Sequence, residues 1–334
     1  MVKASTRVLA GFGAGAVFAG AAAAIISPLL LKTPLTESGH LRSTGRATFL
    51  DTATGKPRGG TFVQTSTIST HLIDGRRAGT STVASYDQRT TNTFVGADGI
   101  SKVLTESSET QAFDRRTGAG IPGAQADTLG TRAHLFRLPF GTNKQTYRIW
   151  DETAKRAVDL VYRGEKTIDG LRTYAFSRDV APTDLGELPI FKALPGSWFG
   201  HPDIPGIPAH EWYENTSSTL YVEPVTGSLV GGASSPHLWA QTTGARKGLR
   251  VDLLKVDRAT PDAADAIRLV KDAKSARSRA LMVHRAPWVL GALGLLLLPG
   301  ALGIHWRTRP VPDLPVIFLP SQRESLEGST SELR

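Results

Sequence analysis

The chain has 334 residues, 40% hydrophobic and 21% charged, with 39 lysines and arginines against 30 aspartates and glutamates, a formal charge of +9. It has no cysteine, which excludes disulfides and thiolate metal centres and leaves any folded domain to its own core. The positive balance favours an acidic partner, and the apolar runs described next turn that expectation from nucleic acid to anionic lipid headgroups.

Residues 1–7 carry Lys3 and Arg7, and residues 8–31 then run without a charge. At about 1.5 Å per residue, a helix of this length covers the ~30 Å hydrocarbon core of a bilayer. The run exceeds the apolar region of about 7–15 residues in a cleavable signal, so a retained anchor is expected, with Ala21–Ala24 leaving cleavage open. Gly11, Gly15, Ala19 and Ala23 fall on one helix face, suited to self-association or to packing on Gly291 and Gly294.

From 45 to 113 the pattern changes to short β-prone runs, 46–50, 61–74, 80–93 and 102–113, punctuated by Gly59-Gly60, Asp74-Gly75 and Asp98-Gly99. In 61–74, Phe62, Ile68 and Leu72 share a face with Gln64, Ser66 and Thr70, which fits a sheet with a partly polar interior or one lining a cavity. Residues 118–130 read as a loop. Val158, Leu160 and Tyr162 then alternate with polar neighbours, Gly170 turns the chain into 171–179, and 249–253 alternates in the same way. Between them, 218–223 and 228–230 flank the turn Pro224-Val225-Thr226-Gly227. These signals give roughly ten to twelve strands.

Thr260-Pro261-Asp262 has the form of a helix start, with a capping hydroxyl and proline at the first helical position. A helix over 262–285 is expected to carry Lys271, Lys274, Arg277, Arg279 and Arg285 to the membrane surface, or to present them as a solvated face. Residues 286–304 form a second candidate span, and the proline-bearing tail 305–334 reads as disordered and cytoplasmic. Lys3, Arg7, Arg307 and Arg309 place both termini in the cytoplasm and residues 32–285 outside.

No motif specifies enzymatic chemistry, and neither catalytic residue, cofactor nor metal is expected. His201, Asp203, His210, Glu211 and Glu214 cluster, but Glu214 stands where a second histidine belongs, and prolines at 202, 205 and 208 forbid the helix such a zinc motif needs. The aromatic segment 189–221 says more. Phe191, Trp198, Phe199, Trp212, Tyr213 and Tyr221, set among five prolines, read as a long apolar loop that either caps the core or covers a lipid-binding cavity.

With Leu138-Pro139-Phe140, Tyr147-Arg148-Ile149-Trp150-Asp151, Gly170 to Phe176 and Tyr221 to Gly227, nearly the whole chain resembles the actinobacterial envelope family named after the porin PorA. The resemblance implies an anchor, a large outer β-rich domain, a returning helix and a part in envelope lipid trafficking, and supplies no catalytic residues. A strand-built pore needs a continuous apolar outer band about 25 Å tall, which these strands lack, so a channel would have to be oligomeric. The expected architecture is therefore mainly β: a large antiparallel domain, sandwich or open barrel-like sheet, between two membrane helices. The expected role is a plasma-membrane protein of the cell envelope that binds or passes on an envelope lipid or glycolipid beside other envelope-biogenesis proteins. The alternatives are an oligomeric porin-like channel and a scaffold for cell-wall machinery.

Overall fold

The computed structural model describes residues 31–34, 38–73, 82–122, 132–188 and 193–307. The first candidate span, including Gly11, Gly15 and Ala19, lies outside them apart from Leu31, as do Phe191 and the tail beyond Arg307.

Among the described residues the strands are β1 (Ser38–Asp51), β2 (Lys56–His71), β3 (Val83–Gly96), β4 (Ser101–Asp114), β5 (Tyr147–Asp151), β6 (Arg156–Ile168), β7 (Leu171–Glu187), β8 (Ala209–Val222), β9 (Leu229–Ala233), β10 (Pro236–Thr242) and β11 (Arg250–Pro261). They form one antiparallel sheet in the order β4-β3-β2-β1-β11-β10-β8-β7-β6-β5, with β9 paired to β8. The sheet consists of two meanders, β1–β4 and β5–β8, joined through β10 and β11. A single sheet rules out the sandwich and leaves the open, barrel-like form.

Local chemistry sets the turns. Ile168 faces Leu171 across a two-residue hairpin in which Asp169 and Gly170 both take positive φ, 46° and 75°, as a tight turn matched to strand twist requires. The turn between β8 and β9 is pinned by Glu223, whose buried carboxylate accepts from the N–H of Val225 and from both the N–H and hydroxyl of Thr226.

The ladder ends at β4 and β5, yet the two edges are tied together. The segment after β4 bridges Phe113 to Gly120 and Ala119 to His134, and His134 pairs alongside Ile149 of β5. The N–H of His134 donates to the Arg148 carbonyl at 2.8 Å, and the N–H of Trp150 returns to the His134 carbonyl at 2.8 Å. Phe136 stacks on Tyr86 of β3 and meets Phe113 of β4 edge-on. Lys155, beyond β5, pairs with Glu109 of β4. At this point the curled sheet brings its two edges together, and backbone polar groups of Arg148 and Trp150 find partners.

Two elements depart from the sequence reading. The long loop expected over 189–221 ends early, because residues from Ala209 onward form β8. Its alternation is hidden in sequence: Tyr213 points inward and Trp212 outward onto Trp239, while Ser217, at φ 63°, accompanies a register shift that changes which residues face in. Likewise Thr260 and Pro261 complete β11, so the hydroxyl is no helix cap, and helix α1 (Ala263–Arg307) begins after Asp262. Asp262 accepts from the hydroxyl of Thr44, and the N–H of Arg42 donates to Asp265 in the first turn of α1. These contacts fasten the helix start to β1.

The chain divides into two compact units between Ala286 and Pro287. The β sheet and α1 up to Ala286 belong to one, and the described part of the other is helical. Among the described residues no helix is long and apolar enough to cross a membrane.

Candidate functional site: an amphipathic cavity

The curled sheet encloses a cavity of about 1170 Å³. One wall comes from the alternation noted in β2. Phe62, Gln64, Ser66, Ile68 and Thr70 all line it, as do Tyr86, Gln88, Thr90 and Asn92 of β3. Pairing brings the polar members together. Gln64 Nε2 donates to Asn92 Oδ1 at 3.1 Å, Asn92 Nδ2 to Thr105 Oγ1 at 2.9 Å and Gln88 Nε2 to Thr90 Oγ1 at 3.1 Å, while the hydroxyls of Ser66 and Thr90 lie 3.3 Å apart. Strands β8 to β11 add leucines to the lining, Leu220 of β8, Leu229 of β9, Leu238 of β10 and Leu253 and Leu254 of β11, beside Glu211, Tyr213 and Asn215 of β8.

A polar seam runs between the walls where β5 turns toward β6. Asp151 accepts from the N–H of Thr153 and Ala154, faces Arg178 Nη1 at 3.6 Å and receives the Tyr213 hydroxyl at 3.5 Å. Glu152 beside it is pushed up to about 7, first by burial and then by the charge of Asp151. Burial and the same carboxylate push Tyr213 up to about 12. Glu211, also on the lining, is raised by burial. Arg178 Nε is buried without a hydrogen-bond partner. The seam thus offers acceptors on Asp151 and Glu152 beside one unanswered donor.

Each end has its own closure. Leu269, Ala273, Ala276 and Ala280 of α1 line the cavity at one end. Val270 and Ala273 pack with Leu171 and Val230, Lys274 donates to the Asp169 carbonyl, and Arg277 reaches Glu223 at 3.2 Å. At the other end Leu188, Leu194 and Trp198 line it, and Trp198 lies over the β1–β2 turn so closely that a side chain at Gly55 would meet its indole.

The aromatic residues singled out from the sequence therefore separate. Trp198 and Tyr213 line the cavity, and Phe199 packs into the cluster of Leu194, Ala209 and Ala240. Trp212 stacks on Trp239 at 6.0 Å, and Tyr221 lies under the Lys166 ammonium at 4.8 Å. Of the basic residues on α1, Lys274 and Arg277 hold the helix to the sheet, Arg279 lines the cavity, and Lys271 and Arg285 are exposed. His210 pairs with Asp184 at 2.9 Å, and no metal-binding group of three or more His, Asp or Glu occurs among the described residues. Sequence reasoning passed over Gln88, Asn92, Glu152 and Arg178. The signal for the first two was present, since Tyr86, Gln88, Thr90 and Asn92 repeat at spacing two as in β2.

The sequence matches the model of a family described as Porin PorA over residues 6–302. A curated protein named Porin PorA, from Corynebacterium amycolatum, is 26% identical over 208 residues, 52% of this chain and 53% of that relative. The chain spans about half the length of the curated relative it matches.

Proposed function

From the premise that this chain belongs to the Porin PorA family, matched over nearly its whole length, we propose that it is a membrane-anchored envelope protein whose β domain holds an amphipathic lipid and catalyses no reaction. The cavity carries this reading. Pockets for small ligands run to about 300–1,000 Å³, and at about 1170 Å³ this one exceeds that range, with leucines contributed by β8 to β11 and amides and hydroxyls by β2 and β3. Such a two-sided interior suits a molecule that is itself two-sided.

The two-span topology, with residues 32–285 outside the plasma membrane, belongs to the same proposal. Its support is the charge-free run 8–31 and the exposed Trp288, Val289, Leu293, Leu295 and Leu296 on the second candidate span. The anchor brings the cavity near its ligand pool, and hand-over to other envelope-biogenesis proteins is the role proposed for it.

The test is native mass spectrometry of the full-length protein extracted in mild detergent. Co-purified lipid, released on unfolding, is the expected result. A protein that is consistently empty and takes up no added lipid overturns the proposal, and steady single-channel conductance in planar bilayers would favour the oligomeric channel instead.

A further inference from the structure

We infer that the polar half of the cavity is built for an uncharged, hydroxyl-rich head group, that of a glycosylated lipid, and against a phosphate head. The inference rests on the lipid reading above and adds the class of head group.

Three features of the wall carry it. First, the face of β2 to β4 presents neutral groups, Gln64, Gln88 and Asn92 among Ser66, Thr90 and Thr105. An amide has two N–H donors and an accepting oxygen, and each of these three gives one N–H to a neighbour across or along the strands. A sugar hydroxyl both donates and accepts, so it can join such a network at several points, whereas a phosphate only accepts.

Second, the seam is acidic. Asp151 and Glu152 adjoin each other, and Glu211 lines the same cavity. The Arg178 guanidinium already faces Asp151 at 3.6 Å. A phosphate placed there would meet the Asp151 carboxylate beside the Glu152 carboxyl, with one shared cation, in surroundings where like charges repel more strongly than in water. Sugar hydroxyls can donate to those carboxylates and accept from the unpartnered Arg178 Nε.

Third, the half-buried Trp150 lines the seam beside Asp151. Its ring supplies the amphipathic flat surface, apolar body with a polar edge, on which the C–H face of a sugar can lie.

Two other cations of the lining are committed elsewhere, while Arg279, on α1, gives an N–H to Ser275 Oγ at 3.0 Å. Arg137 is buried and donates to the Thr33 hydroxyl and to the carbonyls of Thr226 and Leu138, and Arg268, at the α1 end, pairs with Asp265 at 2.7 Å. Lys102 sits at an exposed position above the Phe49 ring.

The experiment is a competition. Full-length protein in detergent is equilibrated with equal amounts of digalactosyl diacylglycerol and phosphatidylglycerol of identical acyl chains, and the bound species are counted by native mass spectrometry. A preference for the galactolipid of about tenfold, equivalent to about 1.4 kcal/mol, is expected. The double variant Gln64→Leu, Asn92→Leu is expected to lose that preference while still taking up lipid. Equal uptake by the unmodified protein, or preference for phosphatidylglycerol, overturns the inference and leaves the lipid reading standing. Retention of neither lipid overturns both.

Discussion

The guanidinium of Arg277, on α1, reaches the fully buried carboxylate of Glu223, in the β8–β9 turn, at 3.2 Å. One carboxylate thereby organises a turn through three donors and fixes the helix that closes the cavity. Replacing Glu223 by alanine strands those donors and should cost about 3 kcal/mol, as does loss of one partner from a buried charged network. Arg277→Ala leaves the turn satisfied, so a smaller loss, about 1–2 kcal/mol, is expected. Urea unfolding measures both. Amide exchange should accelerate along α1 from Ala266 to Ala280 in the arginine variant, while the β8–β9 turn stays protected.

Glu152 makes stability depend on pH in a definite direction. Its carboxyl titrates at about 7 when folded, against an ordinary value near 4.5. The folded state therefore binds more protons than the unfolded state between those values, and stability falls as pH rises through that window. The contribution is on the order of 3 kcal/mol. Glu152→Gln should flatten the profile and raise the melting temperature at pH 8 relative to pH 5. An unchanged slope between pH 5 and 8 in the variant would refute this assignment.

Gly227 holds a position no side chain can share. Its φ is 73°, and a Cβ would fall 2.0 Å from the Leu138 carbonyl oxygen, while its own carbonyl accepts from the Leu138 N–H at 2.9 Å. Gly227→Ala should destabilise by about 2–4 kcal/mol, combining left-handed strain with displacement of a packed segment. Calorimetry would show it, and a melting point within a degree of the parent would contradict it.

Leu238 faces the cavity and adjoins the clusters around both Phe62 and Phe176. Leu238→Trp should project an indole into the lumen, costing about 1–3 kcal/mol of stability through overpacking. Lipid recovered per protein should fall severalfold while circular dichroism stays β-rich. Undiminished lipid content would place the ligand elsewhere.

The sequence by itself determined a good part of this. Phe62, Gln64, Ser66, Ile68 and Thr70 share a strand face by period two alone, so their mixed polarity was legible as either a partly polar interior or a cavity wall, while Leu72, read onto the same face, lies past the end of β2 and off the lining. Gly170 and Pro224 to Gly227 announced their turns through backbone preferences that act within a few residues. Chain-wide resemblance likewise indicated the family.

The tertiary structure decided what depends on residues far apart in the chain. Trp212 and Tyr213 take opposite faces because β8 lies between β7 and β10, and Ser217 then shifts the register; aromatic content alone reads as a loop. Asp151 and Arg178 meet across the sheet. His134 joins the two edges through a connection of irregular sequence. Arg277, expected from its charge at a membrane surface or on a solvated face, reaches the buried Glu223 carboxylate, a partner 54 residues away in the chain. Period and turn chemistry are local and leave a mark in sequence, whereas closure of a sheet and pairing of buried charges are set by which strands become neighbours.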